Sequence, residues 1–97
     1  MLQLLNVRTI DNINIAIDHY SNGFDNVVII APGWCMTKDS FAFKKIAHLF
    51  SKFFDVLIFD FRGHGKSGGF YTFTAREIND LDIVVKFALE KITKKYF

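Results

Sequence analysis

Val56-Leu57-Ile58-Phe59-Asp60-Phe61-Arg62-Gly63-His64-Gly65-Lys66-Ser67 is the stretch that decides the fold. It opens with an uninterrupted apolar run, which fits a strand buried on both faces, as in a parallel sheet. Gly63 and Gly65 tolerate positive φ and turn the chain sharply where the strand ends. A second run of this kind, Val27-Val28-Ile29-Ile30-Ala31, stops at Pro32-Gly33. Between the two, Phe43, Ile46, Ala47 and Phe50 recur at helical spacing, which predicts a helix from Asp39 or Ser40 to Lys52. Strand, helix and strand in that order imply a right-handed crossover and parallel pairing.

Upstream, Ile13, Ile15 and Ile17 alternate with Asn14, Ala16 and Asp18, a period of two that fits a strand with one buried face. Leu2 to Ile10 is apolar-rich and ends at the turn signal Asp11-Asn12, so the two segments read as a hairpin. Downstream, Thr74-Ala75-Arg76-Glu77 has the form of a capping box. The stripe Ile78, Leu81, Val85, Ala88, Leu89, Ile92 and Tyr96 then predicts a helix to about Lys94. The fold class is α/β, a β-hairpin followed by β-α-β-α, in one domain over residues 1–97.

Composition narrows the function. Hydrophobic residues make up 51% of the 97, and twelve are Phe, which argues against disorder. So rich an apolar content means an aromatic core or an apolar surface meant for a partner. A net charge of +2 is too small to imply nucleic acid. Lys91, Lys94 and Lys95 complement the dipole at a helix end. The single cysteine, Cys35, excludes an internal disulfide and makes a reducing, cytoplasmic location the expectation. The N-terminus lacks the basic region of a signal peptide, and no run reaches the ~18 apolar residues of a membrane span, so no membrane partner is expected.

Gly65-Lys66-Ser67-Gly68-Gly69 matches G-x-S-x-G, yet it reads as a decoy. A nucleophile elbow presses its serine between a strand end and a helix start, and the acid and histidine follow it in the chain. Ser67 is followed by two glycines, and His19, His48 and His64 all precede it. The same run nearly matches a phosphate-binding loop, but Asp60 stands where its first glycine belongs and puts a carboxylate near the cradle. Cys35 and His64 follow neighbouring strands, so a thiolate–imidazole pair is conceivable. His19 reads as a strand-end residue and His48 as a helix-surface one; no residues have zinc-ligand spacing, and no metal or cofactor is implied.

The two strand ends together resemble the front part of an α/β-hydrolase. In that family the third strand ends in a His-Gly-x turn, matched by Pro32-Gly33-Trp34 with proline in place of histidine. The fourth ends in D-x-R-G-x-G-x-S, matched by Asp60, Arg62, Gly63, Gly65 and Ser67, with His64 between the glycines. Glu77, Asp80 and Leu81 fit the helix that follows. Serine aminopeptidase-like and esterase-like branches look closest. The resemblance implies that Trp34, or less readily Cys35, offers a backbone N–H to an oxyanion, while the 60–67 residues hold loop shape, with Asp60 and Arg62 pairing or capping turn amides. It also implies that the chain stops before the strand bearing the nucleophile, so that no catalytic residue is present and strand 27–31 is an open edge.

Three functional readings follow. The first is the N-terminal fragment of a serine hydrolase for ester, thioester or peptide bonds, inactive until a complementary C-terminal half joins it. The second is a non-catalytic α/β module that pairs, or self-associates, through its open edge. The third is nucleotide binding by residues 63–67.

Overall fold

The most buried segment is the one the sequence marks first. In the computed structural model, which describes residues 2–33, 35–72 and 75–92 (the last two by backbone alone), Asp55–Phe59 is a strand with every residue buried. In chain order the elements are β1 (Leu2–Arg8), β2 (Asn14–Tyr20), β3 (Val27–Ile30), α1 (Phe41–Phe50), β4 (Asp55–Phe59) and α2 (Glu77–Phe87). A π-helical turn, Ala88–Ile92, continues α2.

The sheet order is β1-β2-β4-β3. β1 and β2 form an antiparallel hairpin with Leu5 opposite Ile17, joined through Asn12 at φ 66°. β2 runs antiparallel to β4, and β3 pairs with β4 in parallel, Val28 opposite Val56. Alternation along β4 then divides the core. Leu57 and Phe59 join Ile15, Ile17, Val84 and Ala88 on the α2 side. Val56 and Ile58 join Ala47 on the α1 side, with Phe43, Tyr20 and Ile30 against them. A helix on each face is the layered solution for a sheet that is apolar on both.

Both helices follow the expected stripe only in part: Phe43 and Ala47 of α1 and Leu81 and Ala88 of the second helix meet the core, while other members turn outward. In α1, Ser40 caps the N-terminus by accepting the Phe43 N–H at 3.3 Å, and Ala47 is fully buried. Ile46 and Phe50 instead lie outward with Leu49 and Phe53, lining a shallow apolar groove of about 270 Å³. In α2 the inward face carries Glu77, Asp80, Val84 and Ala88, while Ile78, Val85 and Leu89 are exposed. The buried carboxylates have fixed partners: Asp80 is held by Arg62, and Glu77 by Thr72. Thr74 lies outside the described residues; Glu77 accepts the Thr72 N–H at 2.8 Å and the Thr72 hydroxyl at 2.7 Å. Tyr96 also lies outside them, as do Lys94 and Lys95.

β3 has one hydrogen-bonded neighbour among the described residues, and its four residues are half-buried. No described helix is long and apolar enough to cross a membrane.

Candidate functional site at the carboxyl edge of the sheet

Because β3 and β4 are parallel, the loops leaving them share one edge of the sheet. Segment 31–40 follows β3 and segment 60–72 follows β4. Such edges are where open α/β sheets place their chemistry.

Asp60 joins the two segments. Its side chain is fully buried, yet both carboxylate oxygens are used. Oδ1 accepts the Thr37 hydroxyl at 2.9 Å and the Lys38 N–H at 2.7 Å, and Oδ2 accepts the Lys66 N–H at 3.0 Å. Hydrogen bonds to a charged acceptor are among the stronger ones, about 1.5–3 kcal/mol each. Gly65 sits so close, at φ 47°, that an added Cβ would collide with the Asp60 carboxylate and the Thr37 hydroxyl. The glycine is required there by sterics as well as by conformation.

Arg62 does not pair with Asp60. Phe59 and Phe61 both pack toward the α2 side, and Arg62 follows them there instead of alternating back. Its backbone N–H donates to Asp80 Oδ2 at 2.8 Å and Nη2 to Asp80 Oδ1 at 2.7 Å. Nη1 donates to Asp11 Oδ2 at 2.6 Å. One guanidinium thus ties the β4 loop to α2 and to the hairpin turn. The Arg62 bond, followed by that from the Thr9 hydroxyl, holds the Asp11 carboxyl far below its ordinary range, and Asp11 and Asp80 hold Arg62 charged.

Lys38 anchors the other segment. Its ammonium is buried 3.0 Å from Asp18 and 3.1 Å from Asp39. Burial alone would lower its pKa, but the two carboxylates outweigh it and the net shift is upward.

Ser67 completes the β2–β4 ladder. Ala16 lies opposite Asp60 in register, and the Asp60 N–H reaches Ala16 O at 3.1 Å. The return bond is made through the serine: the Ala16 N–H donates to Ser67 Oγ at 2.9 Å, and that hydroxyl donates to Asp60 O at 2.5 Å. A hydroxyl committed in both directions, with its proton on a peptide carbonyl, is not an activated nucleophile. α2 begins only at Glu77, so no elbow forms. The phosphate-loop alternative meets the same geometry, because the Lys66 amide is already bound by the Asp60 carboxylate.

The turn closed between Gly33 and Met36 lies beside these ties. Pro32 is buried, the Met36 N–H donates to Gly33 O at 3.0 Å, and Cys35 has φ 61°, a left-handed conformation rare for a residue with a side chain. The Cys35 N–H donates to His64 Nε2 at 2.9 Å, and His64 Nδ1 lies 3.0 Å from Arg62 O. The imidazole therefore meets the cysteine backbone; its Nε2 is not free to activate the exposed thiol. Trp34 lies outside the described residues. His48 is exposed on α1, whereas His19 is buried, its Nε2 without a hydrogen-bond partner among the described residues.

A family model described as alpha/beta hydrolase fold matches residues 26–93. The chain belongs to the α/β-hydrolase family. Among solved structures, the Pyrococcus furiosus esterase Pf2001 is 31% identical with a TM-score of 0.85, the match covering 95% of this chain and 38% of the esterase. DcsB, solved in complex with its substrate analogue, is 30% identical with a TM-score of 0.75, over 91% of this chain and 32% of DcsB. The α/β-hydrolase GrgF from Penicillium, 22% identical with a TM-score of 0.83 over 94% of this chain and 33% of its own, shows the fold. No curated protein matches. This α/β-hydrolase chain thus spans little more than a third of the esterase it resembles, and it corresponds to the N-terminal part of that fold.

Several residues that build this α/β-hydrolase edge gave no local signal. Asp11 reads only as a turn former, and Thr37 as an ordinary loop hydroxyl. The spacing of Lys38 from Asp18 says nothing of a buried pair. The motif positions Asp60, Arg62, Gly63, Gly65 and Ser67 do converge, together with His64.

Proposed function

We propose that this chain is the N-terminal part of a serine hydrolase acting on ester, thioester or peptide bonds, with the nucleophile, acid and histidine supplied by a segment outside these 97 residues. The observation that carries the reading is the double tie between the two loops at the carboxyl edge, through Asp60 and through His64. It presets the turn whose Trp34 N–H would face a developing oxyanion. The nucleophilic serine would attack the carbonyl carbon, and negative charge would gather on its oxygen. The Trp34 amide would share that charge with the amide after the nucleophile. One such donor is worth roughly 10²–10³ in rate, so half a hole without a nucleophile leaves the chain inactive alone. The esterase among its structural relatives favours an ester substrate. The serine aminopeptidase-like branch is the competing class. A reducing, cytoplasmic setting fits the single cysteine.

A remaining hydrolase segment would dock where β3 and α1 are uncovered. β3 offers an unsatisfied hydrogen-bonding edge among the described residues, and Ile46, Leu49, Phe50 and Phe53 offer an apolar face beside α1. A strand added at β3 would complete its pairing, as edge strands require. The same edge supports a second reading, a non-catalytic module that pairs there with another protein or with itself. Co-expression with the polypeptide encoded downstream, followed by a p-nitrophenyl ester assay, separates the two. Turnover that neither piece shows alone supports the hydrolase. A folded assembly without turnover supports the binding module.

A further inference from the structure

We propose that His64 is a positioning residue for the oxyanion-side turn: the neutral imidazole holds the Cys35 amide in place, and protonation releases it. The role assigned to the turn rests on the hydrolase reading, but the geometry stands apart from it. A backbone N–H can only donate and a carbonyl can only accept. With Cys35 N–H at Nε2 and the Arg62 carbonyl at Nδ1, one ring nitrogen must accept and the other donate. Only the neutral Nδ1–H tautomer does both. An imidazolium donates from both nitrogens and would meet the amide donor to donor.

The ring hangs from a rigid point, because the Arg62 N–H and guanidinium are both held by Asp80. What it holds is a turn under strain. Cys35 at φ 61° is a conformation that persists only where surrounding contacts enforce it. Among the described residues, titratable groups lie on the ring's own turn, on the facing turn and against the ring itself. Tyr71 packs edge-on with ring centroids 5.4 Å apart, Cys35 brings its thiol on the facing turn, and on the ring's own turn the Lys66 ammonium is 4.0 Å from Asp39. One consequence concerns the division of labour. The Cys35 amide is engaged by His64, which leaves Trp34 as the oxyanion donor of the proposed function.

The test is nuclear magnetic resonance on the ¹⁵N-labelled 97-residue chain. Imidazole ¹⁵N shifts report the tautomer, and hydrogen exchange reports protection of the Cys35 amide against the Lys38 amide, which Asp60 holds, as internal control. The expected result is an Nδ1–H tautomer, with Cys35 protection falling about tenfold as the ring is protonated, the value of roughly one hydrogen bond, while Lys38 is unmoved. His64→Gln keeps an acceptor that does not titrate, so protection should persist at every pH; His64→Phe should lose it at every pH. Should a variant unfold, the wild-type titration decides. An Nε2–H tautomer, or Cys35 protection unchanged across the titration of His64, would overturn the proposal. No ester turnover is read, so this result and that of the hydrolase assay are independent.

Discussion

Asp60→Asn tests the central tie with almost no change of shape. The asparagine oxygen can still accept the Thr37 hydroxyl and the Lys38 N–H. Its NH₂ group then faces the Lys66 N–H, where Oδ2 accepted at 3.0 Å, so two donors meet. The loss of one charge-assisted bond is about 1.5–3 kcal/mol, and an unsatisfied buried donor adds about 1–3. The two overlap because they describe one contact, so about 3 kcal/mol is expected in total. For a domain of this size that lowers Tm by about 12–24 °C. The assay is urea and thermal unfolding by far-ultraviolet circular dichroism, repeated over a range of protein concentrations to expose any self-association. A loss below about 0.5 kcal/mol, the scale of an ordinary surface change, would refute the argument that Asp60 holds the two loops together.

Further outcomes follow from the same contacts. Ser67→Ala removes the hydroxyl linking Ala16 N–H to Asp60 O and should cost about 1–3 kcal/mol by urea titration, while turnover in a complemented enzyme is retained. Arg62→Met leaves Asp80 as an uncompensated buried charge and should cost about 3–5 kcal/mol; with stability already modest in so small a chain, loss of the cooperative transition is the expected spectrum. Acid should weaken the fold in two stages. Burial holds the His19 pKa below 6.5, so its contribution is complete above that pH and is lost as pH falls toward the folded value. The Asp11 carboxyl, held low by Arg62, adds a second loss as pH drops below 3.8. His19→Leu should reduce the decline in urea midpoint between pH 7 and 5, and a slope that survives it unchanged would rule out His19 as a source.

The sheet was legible because its cause is local. β4 reads as a continuous apolar run since both of its faces are covered; β2 alternates in sequence but is buried on both faces, because Asp18 on its second face is paired with the buried Lys38. Glycines at 63 and 65 announced a turn for reasons that belong to the residue itself. The helix rotations were hidden because periodicity counts only apolar residues. In α2 the inward positions include Glu77 and Asp80, whose burial depends on Thr72 and on Arg62, and no window along the helix contains both partners. In α1 the exposed Ile46 and Phe50 look like core residues, and their company in Leu49 and Phe53 is a property of the folded surface. At the site, Asp60 and Arg62 stand two apart and suggested either a pair or caps on turn amides; Asp60 does cap the Lys38 and Lys66 amides, and the pair is absent among the described residues. The chain leaves strand geometry between them, so they serve opposite faces. The link between His64 and Cys35 crosses 29 positions and joins a side chain to a backbone amide, a contact with no sequence signature.

The central claim is that these loops are the N-terminal, oxyanion-side part of a hydrolase. It is tested most directly by reading the frame downstream of the codon for Phe97, co-expressing its product with residues 1–97, and measuring hydrolysis of a short-chain p-nitrophenyl ester. The account predicts a β-branched strand and then G-x-S-x-G in that frame, with turnover only in the pair. That turnover should vanish when the elbow serine becomes alanine and persist in Ser67→Ala. A downstream frame without such an elbow, or a folded pair that releases no p-nitrophenol, would contradict it.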